Sequence, residues 1–186
     1  MLVMSRILII YASHYGQTAT IAGRIRDRLV DRGHDVDLVN VEVGAPPPDR
    51  YDAVMLGSRV EFSHHAKQIA QYVRTHGEGL RRIPTAFFSV SMSAAGKDPT
   101  SDPNRYLATT FADLAWTPTV STAFGGALQY RRYNWILRAV LKAISKRGGH
   151  STDTAKNHVY TDFAAVSDFA DRFAWHLGER ESVAHV

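Results

Sequence analysis

The residues best suited to do chemistry gather first at Ser13-His14-Tyr15-Gly16-Gln17-Thr18. The apolar run Ile7-Leu8-Ile9-Ile10-Tyr11-Ala12 leads into them, and helix-compatible sequence follows at once. A turn of this kind aims unpaired backbone N–H groups, two hydroxyls and the positive end of a helix at one point, a set suited to a phosphate. Gly16 would let the backbone approach the ligand closely. Neither G-x-x-x-x-G-K-[ST] nor G-x-G-x-x-G occurs anywhere in the chain, so this is not one of the common nucleotide loops. The plainer reading of a Ser/Thr-rich turn before a helix is a cap with no ligand.

Other reactive groups are scarce. The chain has no cysteine, which removes disulfides, thiolate catalysis, iron–sulfur clusters and cysteine-based zinc sites. Its nine histidines include no H-E-x-x-H pattern, and the neighbours His64 and His65 cannot converge on one helix face. No metal is expected, and any redox chemistry must be carried by an organic cofactor.

The elements that must hold the turn follow from the hydrophobic pattern. Strand-like runs occur at 7–12, 36–41, 53–58, 85–91 and 120–127. Helical spacing falls between and after them, over 18–31 (stopped by Gly33), roughly 65–76, 104–115 after Pro103, and 163–177 entered through Thr161-Asp162 as an N-cap. Alternating β and α elements imply an α/β domain with a parallel sheet covered on both faces. Five strands with the turn after the first fit a doubly wound sheet of order 2-1-3-4-5, its ligand at the carboxyl edge where the order reverses. The 186 residues suit a single domain.

One long insert, at about 128–157, breaks the rhythm before a second β-like run at 158–161. Within it, 133–146 has helical spacing, with Ile136, Val140 and Ile144 in one row and Arg138, Lys142 and Lys146 in another. From Arg131 to Arg147 there are six basic residues and no acid; setting them aside leaves the rest of a +4 chain at −2. Basicity this local points to a partner at the insert and not to nucleic acid. The segment reads either as an amphipathic helix covering the domain's own surface or as one lying on an anionic membrane or acidic partner.

Taken together, these motifs resemble the flavodoxin-type protoporphyrinogen IX dehydrogenases, quinone-dependent enzymes of haem synthesis. The resemblance is carried by Gly16-Gln17-Thr18, Tyr51-Asp52 before Gly57-Ser58-Arg59, Pro84–Val90, Gly126–Trp135, Gly148-Gly149, Thr152-Asp153-Thr154 and Val159–Asp162. It implies a flavodoxin-like fold and bound FMN. The cofactor would touch Ser13, His14, Tyr15, Gly16, Gln17 and Thr18 at its phosphate. Glu61 and Phe62 would lie beside the ring, although Phe62 also reads as an aromatic packed on the helix after it. Ser89, Val90, Ser91, Met92, Gly125 and Gly126 complete the implied contacts. Tyr130, Arg131, Arg132, Tyr133 and Trp135 are the implied substrate residues, the two guanidiniums matching propionate carboxylates.

The implied reaction removes hydride equivalents from protoporphyrinogen IX and passes them to menaquinone or another membrane quinone. The implied place is the cytoplasm, peripheral to the inner face of the cell membrane. A flavoprotein of the same architecture acting on another substrate, an electron-carrier flavodoxin, and a binding module without FMN are the alternatives. Carriers of that kind are usually acidic, against the basic insert here.

Overall fold

The computed structural model describes residues 4–14, 16–61, 64–91, 94, 103–128, 158–159 and 161–184. Tyr15, Phe62, Met92, Tyr130, Arg131, Arg132, Tyr133 and Trp135 lie outside the described residues, as does the helix expected over 133–146.

The strands are β1 (Arg6–Ala12), β2 (Asp35–Asn40), β3 (Ala53–Glu61), β4 (His64–His65), β5 (Thr85–Ser91), β6 (Val120–Gly125), β7 (Ala127–Leu128) and β8 (His158–Val159). The helices are α1 (Gln17–Asp31), α2 (Lys67–Arg82), α3 (Pro103–Leu114) and α4 (Phe163–Ala184). The long strands run parallel in the order β2-β1-β3-β5-β6. Numbered among the five long strands alone, that is the expected 2-1-3-4-5.

β1 reads as an apolar run from Ile7 to Ala12, and every residue of β5 is buried, because both faces of the sheet are covered. On one face, Ile21, Ile25 and Leu29 of α1 and Phe169 and Phe173 of α4 pack on Ile7, Ile9, Met55 and Phe88. On the other, Ile69, Val73 and Leu80 of α2 and Leu107 of α3 pack on Leu8, Ile10, Leu56 and Phe87. Each such side chain contributes about 1.5–3 kcal/mol by leaving water. An Arg28–Asp171 fork, with bonds of 2.8 and 2.7 Å, joins α1 to α4. The paired guanidinium holds the Asp171 carboxyl below its ordinary range.

Gly57 in β3 sits opposite Phe88 in β5. A Cβ on Gly57 would lie 2.0 Å from Phe88 Cζ. The glycine therefore admits the ring to the core.

Three elements differ from expectation. His64 and His65 do not begin α2. They pair antiparallel with Glu61 and Val60 at the end of β3, folding the chain back before the helix starts. α2 also runs on to Arg82, through Gly77 and Gly79, because Leu80 is buried and outweighs the poor helix propensity of glycine. A Cβ on Gly79 would meet Pro48 Cγ at 3.0 Å. Finally, the last long strand stops at Gly125. The Gly126 N–H turns to Ser91 O at 2.9 Å, and the chain re-pairs as β7 with β8, Ala127 against Val159 and Leu128 against His158. The two ends of the insert are thus tied to each other.

Candidate functional site

The expected phosphate turn lies at the carboxyl end of β1, and its geometry follows from Gly16. That residue has φ 96° and ψ −12° and occupies the N-cap position of α1. The left-handed conformation is one that glycine adopts without strain. Gly16 itself offers no side chain to cap the helix, and the first turn holds no acid. The Ser13 hydroxyl accepts the Gly16 N–H at 3.1 Å and the Ala19 N–H at 3.4 Å. Gly16 O in turn accepts the Thr20 N–H at 2.9 Å.

Three donors remain. The Gln17 and Thr18 amides and the Thr18 hydroxyl make no hydrogen bond among the described residues. Orphan amides at the positive end of a helix, with a hydroxyl beside them and no acid near, are what a phosphate monoester requires. The residues present therefore fit the phosphate of a mononucleotide-type cofactor. The Thr18 residue is 3% exposed, so a ligand here would sit against a rigid wall. His14 is exposed at the rim.

The Gln17 side chain has a second partner besides the phosphate position that its amide faces. Its Nε2 donates to Thr161 Oγ1 at 2.8 Å, and Thr161 Oγ1 donates to Gly125 O at 2.5 Å. The turn after β1 is thereby tied to the end of β6 through the residue that precedes α4. Thr161 was readable only as part of a cap, and the cap itself is made by Asp162, whose Oδ1 accepts the Ala164 and Ala165 amides at 2.9 and 3.2 Å.

Along the same edge stand the ends of β3 and β5. Ser58 is fully buried; its hydroxyl donates to Arg59 O and accepts the Ala66 N–H, each at 3.0 Å, which fixes the reversal between β3 and α2. Arg59 reaches Glu42 at 3.7 Å, beyond the end of β2. Of the predicted residues on β5, the side chains of Ser89 and Val90 face inward. Ser89 is 1% exposed and Val90 belongs to the core under α1 and α4, so only backbone from these two could meet a ligand. Ser91 Oγ accepts the Ala94 N–H at 3.1 Å, starting the next loop. Glu61 closes β3, Gly125 closes β6 and Gly126 follows it, so their backbone stands at this edge.

His65, which sequence reasoning set aside, is a structural hub here. Its Nδ1 lies 2.8 Å from Thr110 Oγ1 and its Nε2 3.1 Å from Ser89 Oγ, and its ring meets Phe87 edge-on at 5.2 Å. Burial, helped by the charge of His64, lowers its pKa from 6.5 to about 4. The ring is therefore neutral at pH 7 and joins β4 to β5 and α3 through hydroxyls. Its place in a His-His pair gave no hint of this. No group of three or more metal-ligating side chains occurs among the described residues.

Comparison with known proteins adds the family. A flavodoxin domain family model matches residues 8–155. Protoporphyrinogen IX dehydrogenase [quinone] of Escherichia coli (strain K12) is 33% identical over 178 residues, covering 95% of this chain and 98% of that protein. The protein of the same name from Leishmania major is 35% identical over 170 residues, 90% of this chain and 74% of its own length. The chain belongs to the flavodoxin-type protoporphyrinogen IX dehydrogenase family.

The fold stands independently of that name. The crystal structure of oxidised flavodoxin 1 from Bacillus cereus superposes with a TM-score of 0.56 at 12% identity, covering 92% of this chain and 99% of that one. Within this family setting, the turn at Ser13–Thr18 and the ends of β3, β5 and β6 form one continuous edge. No helix among the described residues is long and apolar enough to cross a membrane.

Proposed function

We propose that this chain is an FMN-dependent oxidoreductase that oxidises protoporphyrinogen IX and delivers the electrons to a membrane quinone, menaquinone or a close analogue. The observation that carries the cofactor part is the turn at Gly16. It leaves two amides and the Thr18 hydroxyl unpaired at the start of α1. Family membership carries the substrate class. When bound, FMN supplies the hydride-accepting chemistry.

The chain's own residues bind and orient. Gly16, Gln17 and Thr18 would hold the phosphate. The backbone at the ends of β3 and β5 would border the ring, with Glu61 and Ser91 nearest the edge. Gln17, through Thr161, keeps the end of β6 in fixed relation to the phosphate turn. Hydride transfer needs the donor carbon in near-attack geometry, so orientation is the main contribution asked of the protein. Tyr130, Arg131, Arg132, Tyr133 and Trp135 would meet the tetrapyrrole. The basic row Arg138, Lys142 and Lys146 would hold the protein on an anionic membrane surface, where the quinone resides.

The deciding experiment is spectroscopic. The purified protein, loaded with FMN, should show flavin absorption that bleaches anaerobically on adding protoporphyrinogen IX and returns on adding a menaquinone analogue. Retention of the flavin bands with excess protoporphyrinogen IX would refute the proposed reaction. Failure to take up FMN at all would refute the cofactor.

A further inference from the structure

A cavity of about 390 Å³ lies between α2 and α3, on the sheet face opposite α1 and α4. Its size is that of a small-molecule site. Arg74 of α2 and Arg105 of α3 line it, and both are exposed. Neither makes an ion pair or a hydrogen bond from its side chain among the described residues. Half-buried Tyr106 lines the same space. An unengaged guanidinium beside an aromatic ring suits a ligand with a flat apolar body and a carboxylate arm.

The register of the helices shows which way the cavity opens. The Thr110–His65 contact places Thr110 level with the start of α2. Arg105 precedes Thr110 by five residues, about 7.5 Å along the helix. It therefore lies toward the N-terminus of α3, the end nearest the carboxyl edge of β5. Asp113 is the one acid among the lining residues. It stands eight residues past Arg105, about 12 Å deeper. Arg74 stands seven residues into α2, about 10 Å from its start, so it shares the deep end with Asp113, and Arg105 is the cation that faces the edge holding the phosphate turn. A carboxylate entering from the edge meets Arg105 first and is turned back by Asp113.

We infer that the mouth of this groove between α2 and α3 receives a propionate carboxylate of the tetrapyrrole, with Arg105 its partner. The inference rests on the proposed function for the identity of the ligand. Protoporphyrinogen IX carries two propionates, and a macrocycle lying over the edge can extend one of them to Arg105 without entering the groove. Arg105 is separate from Arg131 and Arg132 of the insert, which remain for the second propionate.

The test is a fluorescence titration of the FMN-loaded protein with protoporphyrin IX and with its dimethyl ester, which keeps the ring and loses both charges. The wild type should bind the diacid at least about tenfold more tightly than the ester, since one charge-assisted hydrogen bond is worth about that factor. Arg105→Ala should lose about tenfold on the diacid and nothing on the ester. Arg105→Lys should recover part of that loss, and Asp113→Asn should tighten the diacid about twofold. Arg26→Ala, on the opposite face of the sheet, should match the wild type. Equal losses on diacid and ester, or a diacid preference that Arg105→Ala leaves unchanged, would overturn the inference. If the charge-dependent pattern appears but protoporphyrinogen IX does not bleach the flavin, the groove stands as a carboxylate site and the proposed reaction falls.

Discussion

Acidification from pH 7 to 4 should weaken this fold through one side chain, His65. In the folded protein its pKa falls from 6.5 to about 4 because the ring is buried among Ser89, Thr110 and Phe87. Between these two values the unfolded chain binds a proton that the folded chain refuses. Stability therefore rises with pH across that window: the contribution is intact above pH 6.5 and lost as pH drops toward 4. At about 1.4 kcal/mol per pH unit, the loss approaches 3 kcal/mol. That is a large share of the roughly 5–15 kcal/mol that holds most domains together. Asp171 acts in a different window. Its carboxyl is held below the ordinary value of 3.8 by Arg28 and Arg32, so its contribution is lost only under more acidic conditions. The assay is urea denaturation at half-unit pH steps on the wild type and on His65→Gln, which keeps a donor and an acceptor but does not titrate. The difference in unfolding free energy between the two should be constant above pH 7 and should move by about 3 kcal/mol in favour of the variant by pH 4. A difference that stays constant over the whole range would refute the placement of His65 as a buried neutral hub.

Gly57→Ala should destabilise the protein by about 3 kcal/mol, at the upper end of overpacking costs, because the added methyl would overlap the Phe88 ring; thermal unfolding measures it. Thr18→Val keeps the volume and removes the hydroxyl, so it should weaken FMN binding about tenfold by flavin fluorescence titration while leaving the apoprotein's melting temperature near wild type. Ser13→Ala should instead lower the apoprotein's melting temperature, since it frees the Gly16 and Ala19 amides. Replacing Arg138, Lys142 and Lys146 together by Gln should cut binding to phosphatidylserine-containing vesicles by about 1 kcal/mol per charge and leave FMN affinity unchanged, as read by vesicle cosedimentation and flavin titration.

The sheet was legible because its signals are local and strong. The run Ile7–Ala12 is apolar on both faces, and the turn that follows it carries its own glycine, whose φ of 96° accounts for the residue type. Helix ends were harder. Gly77 and Gly79 look like stops, yet Leu80 is buried against the sheet and keeps α2 going. Long-range polar links were not legible at all. Gln17 and Thr161 are 144 residues apart, and nothing in either neighbourhood points to the other. The role of His65 was hidden for the same reason: Ser89 and Thr110 come from two other elements, and only the assembled fold brings both hydroxyls to one ring. The reversal at β4 followed from Ser58, whose hydroxyl takes the Ala66 amide across eight residues, a bond that no periodicity encodes.

Two hydroxyls that look equivalent in the sequence divide the work of the phosphate turn. Ser13 faces inward and takes the Gly16 and Ala19 amides, so the turn satisfies part of its own hydrogen-bonding demand before any ligand arrives. Thr18 and the first two amides of α1 are left over. A turn that had to organise around its ligand would subtract that ordering from the binding free energy; one already closed by Ser13 does not. The same logic extends along the edge. Gln17 and Thr161 join the turn to Gly125, Gly126 joins β6 to Ser91, and His65 joins Ser89 to α3. Every strand end that would border a flavin is therefore bonded to a neighbour from a different element. The insert leaves this rigid edge at β7 and returns at β8. Sequence changes in the insert or in the groove between α2 and α3 can thus arise without breaking the bonds that close the turn at Ser13–Thr18.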